Sequence, residues 1–383
     1  MKNNLKILHV IPYFQPEFGY EEYYHALAQS NLGHDVFIIT SKYYNPNLNN
    51  GKRVIINNNI SNGKLKVIRL NSIELPFSCQ NILFGINRKI KKIKPNIIYA
   101  HGPENTLTLQ ISLLKPKLNC YYIIDKHKDG LFNKKLSLRY VFLLYKNLIT
   151  SFNYKVANLI VTFSKIDTEK IYNKSKSYAK KVTQQFMAVS TETFFFNQND
   201  RDSIREKLCL TKSDHVGIVS GRIIESKKIH LLLDEILKNQ KIKLIVIGKI
   251  DNNYKKKLNQ YFTDNGKILF VNEVSNNELR KYYSAADIGY WISHMSVGIL
   301  EAYACELPVI INQKAKNYYP SLDNNLVVED GNYYQALIKT SLLLNNHRKT
   351  NIVRKNARKI ANGLSYNLLA KNVLSKYYNF LEK

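Results

Sequence analysis

The sequence of 383 residues lacks the features that define several classes of protein. Its four cysteines, at positions 79, 120, 209 and 305, show neither paired nor metal-ligand spacing, so we expect reduced thiols and no zinc site. No apolar run reaches the roughly 18 to 20 residues that cross a bilayer. The apolar start is interrupted by His9 and Pro12, which fits a first buried strand better than an export signal. We therefore expect a soluble or peripheral cytoplasmic protein.

Acidic residues are also scarce, with 29 against 57 basic ones, and the net charge is +28. Residues 51–150 hold 18 basic and 4 acidic side chains, a net +14, which is half of the whole excess. Such a balance suits an anionic partner, namely nucleic acid, an anionic membrane face or a phosphorylated substrate. A compositional preference for Lys and Asn explains it equally well. Because the chain contains no recognised nucleic-acid-binding module, we expect no nucleic-acid partner.

Alternating strand and helix patterns run through the chain. Strand-like apolar runs occupy residues 6–11, 35–40, 65–70, 97–100, 121–125 and 159–163, and then 216–220, 244–248, 268–271 and 288–292. Amphipathic helical patterns separate many of them, and this alternation is typical of parallel α/β sheets. We predict two α/β domains, residues 1–193 and 200–365, with a linker near 190–200. The amphipathic segment 366–383 is predicted to pack back on the first domain.

Candidate ligand-binding residues in the first half follow predicted strands, because parallel sheets bind ligands at the carboxyl ends of their strands. Gly19 lies between the first strand and a helix, where a glycine permits close approach to a ligand, although a lone loop glycine is more often only a turn. His127 follows a strand end in IIDKHKDG. A structural role and a catalytic role are both open for this histidine.

The second half contains two further stretches of this kind. In VSGRIIESKK, Gly221 ends a strand, and Arg222 and Lys227 are placed to converge beside a helix N-terminus. Two such cations suit a diphosphate, although solvated surface charges remain the alternative. In SVGILEAYACELPVI, Glu301 lies one turn inside a helix that leads to a buried strand. A glutamate there is either a surface residue or a ligand-facing group.

One acidic pattern resembles a metal-binding motif, but we interpret it as the start of a helix. Asp200 and Asp202 form the D-x-D sequence of metal-dependent transferases of another fold. They lie just before a predicted helix, so we interpret Asp202 or Ser203 as its N-cap. No metal site and no cofactor are predicted.

These motifs together resemble glycosyltransferase family 4, the retaining nucleotide-sugar glycosyltransferases of the GT-B fold. The resemblance runs from KILHVIPYFQPEFGYEEY through NIIYAHGPEN and VSGRIIESKK to AADIGYWISHMSVGILEAYACELPVI. It implies an α/β fold of two facing doubly wound Rossmann-like domains, with a C-terminal helix that crosses back to the first. The first domain would take the acceptor and the second the nucleotide-sugar donor.

The resemblance also implies roles for individual residues. Glu301 would accept hydrogen bonds from the ribose hydroxyls, and Arg222 and Lys227 would neutralise the leaving diphosphate. His127 would lie near the transferred sugar, with His101 as a second acceptor-side candidate. The remaining donor-binding candidates are Gly19, Gly221, Ser293 and the segment whose amides would meet the diphosphate, Ser296, Val297 and Gly298.

Several positions depart from the family pattern. The family usually carries an acid eight residues before Glu301, beside the transferred sugar, where this chain has Ser293. Glycines common in the family are replaced by Tyr20, Lys228 and Glu306. The loss at position 293 is compatible with an unusual donor, with recognition through Ser293 or His294, or with a binding protein that has lost activity.

The expected function is a retaining, metal-independent transfer of sugar from a UDP- or GDP-sugar to a glycan or lipid-linked acceptor. Such an enzyme would act in cell-surface polysaccharide or glycolipid assembly, at the inner face of the cell membrane. Peripheral contact with anionic lipid would use the basic segment 51–150. Two alternatives are an acceptor-independent nucleotide-sugar enzyme of the epimerase kind and a basic interaction protein without catalytic activity.

Overall fold

The computed structural model describes residues 4–16, 19–46, 53–56, 61–75, 80–126, 136–238, 241–262, 266–294, 296–317 and 326–382. The chain divides into two compact units. Unit 1 comprises Met1–Phe186 with Asn367–Lys383, and unit 2 comprises Met187–Tyr366. The assignment of an acceptor to the predicted domain 1–193 and of a donor to the predicted domain 200–365 stays a prediction.

Unit 1 is an α/β unit with a parallel sheet at its centre. Its strands are β1 (Lys6–Val10), β2 (Asp35–Ser41), β3 (Ser61–Asn62), β4 (Leu65–Leu70), β5 (Ser72–Glu74), β6 (Asn81–Leu83), β7 (Ile97–His101), β8 (Tyr121–Lys126), β9 (Leu159–Thr162) and β10 (Val182–Gln184). Its helices are α1 (Glu21–Asn31), α2 (Ile86–Ile93), α3 (Thr106–Leu114), α4 (Leu136–Val156), α5 (Lys165–Lys174), α6 (Lys176–Ala179) and the terminal helix α14 (Tyr366–Leu381).

The main sheet of unit 1 has the strand order β10-β9-β8-β7-β1-β2-β4-β3. All neighbours are parallel except β3 and β4, while β5 and β6 form a separate antiparallel pair. The central strands read as continuous apolar runs because helices cover both faces of a parallel sheet. Helix α14 packs on this unit, where the ring centroids of Tyr121 and Tyr377 lie 5.5 Å apart.

Unit 2 repeats the α/β plan. Its strands are β11 (His215–Ser220), β12 (Ile242–Ile247), β13 (Ile268–Val271), β14 (Ile288–Trp291), β15 (Val309–Asn312) and β16 (Val327–Val328). Its helices are α7 (Gln198–Lys207), α8 (Ile229–Lys238), α9 (Asn252–Leu258), α10 (Asn276–Ala285), α11 (Gly298–Ala304), α12 (Tyr333–Leu344) and α13 (His347–Gly363). The parallel order is β13-β12-β11-β14-β15-β16, so the chain reverses its direction of growth between β11 and β14.

The predicted α/β class is confirmed, and each predicted strand is present with ends within two residues of the prediction. The predictions omitted the two- and three-residue strands β3, β5, β6, β10 and β16. Strands of that length are too short to show an apolar periodicity.

The predicted N-cap of α7 is wrong. The cap is Asn197, whose side chain accepts a hydrogen bond from the amide of Asp200 at 3.0 Å. Asp202 lies inside the helix and accepts from the side chain of Gln198, while Asp200 pairs with Arg280 at 2.7 Å. Residues two apart on a helix point to different sides, so the two aspartates do not form one ligand pair.

Two expectations from composition concern membranes and thiols. In the part of the chain that the structure describes, every helix is too short or too polar to cross a bilayer. The described cysteines, Cys120, Cys209 and Cys305, are free thiols, and Cys79 lies outside the described residues.

Candidate functional site

The candidate site of unit 2 lies where β11 and β14 end side by side. These strands are parallel neighbours, yet the chain leaves them toward opposite edges of the sheet. A crevice forms at such a point because the connecting loops turn away from each other, and open α/β sheets bind ligands there. The loop after β11 begins with Gly221, and the loop after β14 begins with Ile292 and Ser293.

Two glycines allow the backbone to pack closely at this edge. Gly221 has a φ of +93° and Gly248, which follows β12, has a φ of +138°. A Cβ atom on Gly248 would lie 2.2 Å from the carbonyl oxygen of Gly221, so any side chain there would displace the loop. A Cβ atom on Gly221 would lie 3.4 Å from Nζ of Lys227. The ammonium group of Lys227 therefore sits over the Gly221 backbone.

Lys227 differs from an ordinary solvated lysine. It ends a single 3₁₀ turn, Glu225–Lys227, which leads into α8 through Lys228 at a φ of +51°. Burial, and then the charge of Arg222, lowers the pKa of Lys227 to about 8. Arg222 itself is exposed. Two cations that raise each other's free energy create a place where an anion is favoured.

Glu301 occupies the first turn of α11 and is held by a tyrosine from another helix. The hydroxyl of Tyr283 on α10 donates to Oε2 of Glu301 at 3.3 Å and lies 2.7 Å from Oγ of Ser220 at the end of β11. Burial raises the pKa of Glu301 to about 7, against which the Tyr283 hydrogen bond acts. The side chain nevertheless keeps part of its surface exposed. This carboxylate can accept more hydrogen bonds than it has here.

The segment that precedes α11 is shaped by close packing. A Cβ atom on Gly298 would lie 3.0 Å from the ring of Trp291 and 3.2 Å from the hydroxyl oxygen of Tyr283, so a larger residue would push these rings aside. The amide of Gly298 donates to Oγ of Ser296 at 3.2 Å, and Val297 precedes it as a half-buried residue. All three predicted residues of this segment thus lie beside Glu301.

Ser293 and His294 complete the loop after β14. Oγ of Ser293 lies 2.6 Å from the hydroxyl of Tyr333, the first residue of α12, and that hydroxyl donates to the carbonyl oxygen of Lys227 at 3.3 Å. Both ring nitrogens of His294 are shielded from water, and neither has a hydrogen-bond partner among the described residues. Burial, followed by the charge of Lys227, lowers the pKa of His294 to about 3.

The first-half candidates all belong to unit 1. Gly19 has a φ of +57°, and its amide donates to the carbonyl oxygen of Pro16 at 3.0 Å, in the loop between β1 and α1. His101 ends β7, and both of its ring nitrogens are engaged, Nδ1 with Asp125 at 2.5 Å and Nε2 with His9 at 3.0 Å. His127 lies outside the described residues.

His101 is one member of a buried polar chain in unit 1 that sequence reasoning did not predict. Nε2 of His9 lies 2.7 Å from Oε1 of Gln29, and Nε2 of Gln29 lies 3.2 Å from Nε2 of His25. The chain therefore runs from Asp125 on β8 to α1. Burial, and then the charges of His101 and His25, holds the pKa of His9 well below its usual range.

Sequence reasoning also missed Tyr283 and Tyr333. Each lies in an amphipathic helix, where an aromatic residue ordinarily indicates core packing, and each meets its partner from a distant part of the chain. Only the doubled tyrosines YY at 282–283 and 333–334 distinguish them, which is no specific signal. In the described ranges, no group of three or more His, Cys, Asp or Glu is arranged to hold a metal ion.

Comparison with protein families gives one match. Residues 214–346, which include Gly221, Lys227, Ser293 and Glu301, match the family model "Glycosyl transferases group 1". No curated protein is significantly similar to the chain.

Comparison with solved structures extends the similarity to nearly the whole chain. Sucrose-phosphate synthase from Thermosynechococcus elongatus is 15% identical, with a TM-score of 0.73, over 99% of this chain and 100% of that one. HepE from Anabaena in complex with UDP is 14% identical, with a TM-score of 0.70, over 98% and 100%. WaaG, a glycosyltransferase involved in lipopolysaccharide biosynthesis, is 12% identical, with a TM-score of 0.65, over 96% and 98%. At these identities the structures establish the fold, and the predicted GT-B fold class is confirmed.

The family match and the fold agree on the class of enzyme. The segment that matches the group 1 glycosyltransferase model, residues 214–346, contains Lys227, Glu301 and the residues that contact them. The expected enzyme class, a glycosyltransferase of GT-B type, is thereby confirmed.

Proposed function

We propose that the chain is a retaining, metal-independent glycosyltransferase of family 4 that moves a sugar from a nucleotide-sugar donor to a glycan or lipid-linked acceptor. The observation that carries the proposal is that a partly buried cation, Lys227, and a partly buried carboxylate, Glu301, both lie at the switch point of unit 2. Nζ of Lys227 lies over Gly221, and Tyr283 connects Glu301 to Ser220, the residue before Gly221. A nucleotide diphosphate contains both complementary groups, namely a dianion and a pair of ribose hydroxyls. HepE, of the same fold, is described in complexes with UDP and with UDP-glucose.

Glu301 is suited to bind the ribose. Its carboxylate receives a hydrogen bond from Tyr283, and its remaining lone pairs are complementary to two adjacent hydroxyls. Charge-assisted hydrogen bonds of this kind are stronger than those between neutral groups. Because Glu301 is partly buried, it loses less water when a ribose binds than an exposed carboxylate would.

Arg222 and Lys227 are suited to the diphosphate. In a transfer reaction negative charge grows on the leaving phosphate as the glycosidic bond breaks, and fixed cations stabilise that charge in the transition state. In this proposal the two cations supply that role without a metal. The anomeric configuration is retained if the acceptor hydroxyl attacks from the face that the phosphate leaves, with the leaving phosphate accepting the proton of that hydroxyl.

The remaining predicted residues take secondary roles in this proposal. Gly221 allows the diphosphate to approach the backbone, and Ser296, Val297 and Gly298 supply the loop that meets it. Gly19, His101 and His127 belong to the first half of the chain, and their contribution to donor and acceptor stays a prediction. Since both nitrogens of His101 bind inside unit 1, we assign to it the support of the acceptor-side edge of the sheet.

The first test is steady-state kinetics of Lys227→Ala. We expect kcat to fall about a hundredfold to a thousandfold, since one charge-assisted contact to a developing anion contributes about 2.7–4 kcal/mol. Lys257→Ala serves as the matched control, because Lys257 forms an exposed ion pair with Glu225 in the same unit. Unchanged kcat and KM in Lys227→Ala would show that the donor diphosphate binds elsewhere.

A second candidate function is an acceptor-independent reaction of a nucleotide sugar. It uses the same donor contacts and is favoured only by the absence of an acid at position 293. Incubation with a nucleotide sugar and no acceptor separates the two proposals, because epimerisation would give a new nucleotide sugar and a transferase would not. A basic interaction protein would bind neither nucleotide diphosphate nor nucleotide sugar.

We also propose peripheral contact with anionic membrane at the cytoplasmic face, in assembly of a cell-surface polysaccharide or glycolipid. The isoleucines of α2, Ile86, Ile90 and Ile93, are buried in unit 1, so this helix offers a row of cations and no apolar face. Its exposed basic residues are Arg88, Lys89, Lys91 and Lys92. Sedimentation with anionic and neutral vesicles at low salt tests this proposal. Equal recovery with both vesicles would contradict it, because attraction to anionic lipid is electrostatic.

A further inference from the structure

The loop after β14 has a neutral side chain where the family resemblance expects an acid. Ser293 lies 2.6 Å from the hydroxyl of Tyr333, and this hydroxyl donates its hydrogen to the carbonyl of Lys227. A tyrosine hydroxyl has one hydrogen, so Ser293 must donate its own hydrogen to Tyr333. Ser293 is therefore used to hold α12 and the Lys227 turn in place. It keeps only lone pairs for a ligand.

The neighbouring residue, His294, differs from Ser293 in its hydrogen bonding. Both of its ring nitrogens are shielded from water and without a partner among the described residues. A buried polar atom without a partner is unfavourable, so such an atom in a native structure needs an explanation, and a ligand that satisfies it is one. Within the described ranges, no hydrogen bond fixes the orientation of the ring.

The protonation state of His294 defines what it can bind. Burial and the nearby charge of Lys227 keep the imidazole neutral, with one N–H donor and one lone pair. A hydroxyl group has the same two capacities and is the matching partner. A free ammonium group would be repelled by Lys227. A carboxylate would find its cations already neutralised, since Arg222 and Lys227 face the two charges of the diphosphate in the proposed function.

We propose that His294 recognises a hydroxyl group of the transferred sugar, so that this chain takes a nucleotide donor whose sugar is uncharged. The inference rests on the proposed function, because it places the sugar beside the diphosphate contacts of Lys227. In this arrangement Ser293 and Tyr333 hold Lys227 in position, and His294 forms the hydrogen bond to the sugar. His294 thus supplies the sugar contact that an acid supplies in the family pattern.

The experiment compares binding of each nucleotide diphosphate with that of its sugar derivative by calorimetry. The probes are UDP with UDP-glucose, GDP with GDP-mannose, and ADP with ADP-glucose. His294→Ala is expected to weaken the sugar derivative about tenfold and to leave the diphosphate within twofold, which isolates the contact to the sugar. His294→Asn, which offers one donor and one acceptor group, is expected to recover most of the loss. If the protein binds UDP rather than GDP or ADP, UDP-glucuronate is expected to bind more weakly than UDP-glucose.

The controls separate this inference from the function on which it rests. His230→Ala removes an imidazole of unit 2 that is bonded to Tyr254, and it should change neither affinity. If wild-type protein binds no diphosphate, the proposed function fails and this inference fails with it. If wild-type protein binds the diphosphate and His294→Ala weakens both ligands equally, or neither, the donor site stands and His294 does not read the sugar.

Discussion

His9 in unit 1 and His294 in unit 2 are both histidines that burial keeps uncharged, yet they differ in their partners. Each ring nitrogen of His9 has a polar neighbour at 3.0 Å or less. Neither nitrogen of His294 has one among the described residues. A satisfied buried network contributes to the specificity and rigidity of a core, whereas unsatisfied polar atoms in a crevice are available to a ligand. The comparison supports a structural role for His9 and, within the proposed function, a ligand-binding role for His294.

The largest effect expected from this difference is on stability. Asp125→Ala should destabilise unit 1 by about 3–5 kcal/mol, because it removes one partner of a fully buried pair and leaves His101 unmatched. His294→Ala should change the stability of unit 2 by less than about 1 kcal/mol, since it breaks no hydrogen bond to the described residues. Urea unfolding measures the change in the free energy of unfolding of each variant. Hydrogen exchange of amides in β7 and β14 shows which unit is destabilised.

Asp35→Ala is the control for the aspartate, because Asp35 bonds to Asn4 at the surface of unit 1. A loss of similar size in Asp125→Ala and Asp35→Ala would contradict a structural role for the buried pair. A loss of more than about 2 kcal/mol in His294→Ala would contradict the difference between the two histidines, since a ring with no hydrogen-bond partner in the described ranges should add little to stability.

Glu301 is a second buried titratable group near the ends of β11 and β14, and its pKa shift is opposite in direction to those of the two histidines. Its folded-state pKa of about 7 lies above the ordinary value of 4.5, so the folded protein holds a proton that the unfolded chain releases between these pH values. Stability from this group is present below pH 4.5 and is lost as the pH rises to 7. Above pH 7 the ionised carboxylate costs up to about 3 kcal/mol, at about 1.4 kcal/mol per pKa unit.

Glu301→Gln should therefore stabilise the ligand-free protein at pH 8 by up to about 3 kcal/mol and have little effect near pH 4.5. The same variant should raise KM for the donor, because the amide group offers fewer acceptors to the ribose and does so in ground and transition states alike. Thermal unfolding at both pH values and steady-state kinetics check the two parts. A destabilised variant at pH 8 would indicate that Glu301 has a structural partner beyond Tyr283.

The smallest effect concerns the pH dependence of stability. The pKa of each histidine lies below 6.5 in the folded state, so the unfolded chain takes up the proton first as the pH falls. The contribution of each histidine to stability should therefore decline below pH 6.5, by up to about 1.4 kcal/mol per pH unit, while the contribution of Glu301 changes in the opposite direction. Urea unfolding at pH 7, 6 and 5 measures this slope. In His294→Ala the free energy of unfolding should depend less steeply on pH, because the contribution of His294 is removed. An unchanged slope would contradict the low pKa of His294.

The fold was predictable from the sequence to a large extent, and the site in part. Buried parallel strands are continuous apolar runs, so β1, β7 and β11 were evident from local composition alone. Lys227 and Glu301 were predictable as candidates because they follow strand ends. Tyr283 and Tyr333 were not, because an aromatic residue in an amphipathic helix has the same pattern whether it fills a core or holds a ligand-binding side chain.

The left-handed residues show a related limit. Lys228 and Glu306 replace glycines common in the resembling family, yet both keep positive φ values, of 51° and 57°. Local sequence would not place lysine or glutamate there, since a Cβ atom makes this conformation unfavourable. The turn before α8 and the end of α11 impose it, because the flanking strands and helices determine where these turns must lead.

By itself, the sequence determined the alternation of strands and helices, the strand ends at which chemistry is expected, the excess of positive charge and the resemblance to a glycosyltransferase family. Each of these depends on residues that are close together in the chain. Which candidates act on each other depended on the tertiary structure. The fold placed Arg222 and Lys227 so that their charges interact, brought Tyr283 to Glu301 across 18 positions and Ser293 to Tyr333 across 40, and gave the ring nitrogens of His294 no partner among the described residues. Desolvation and hydrogen bonding depend on distance in space, and the order of residues along the chain does not specify that distance.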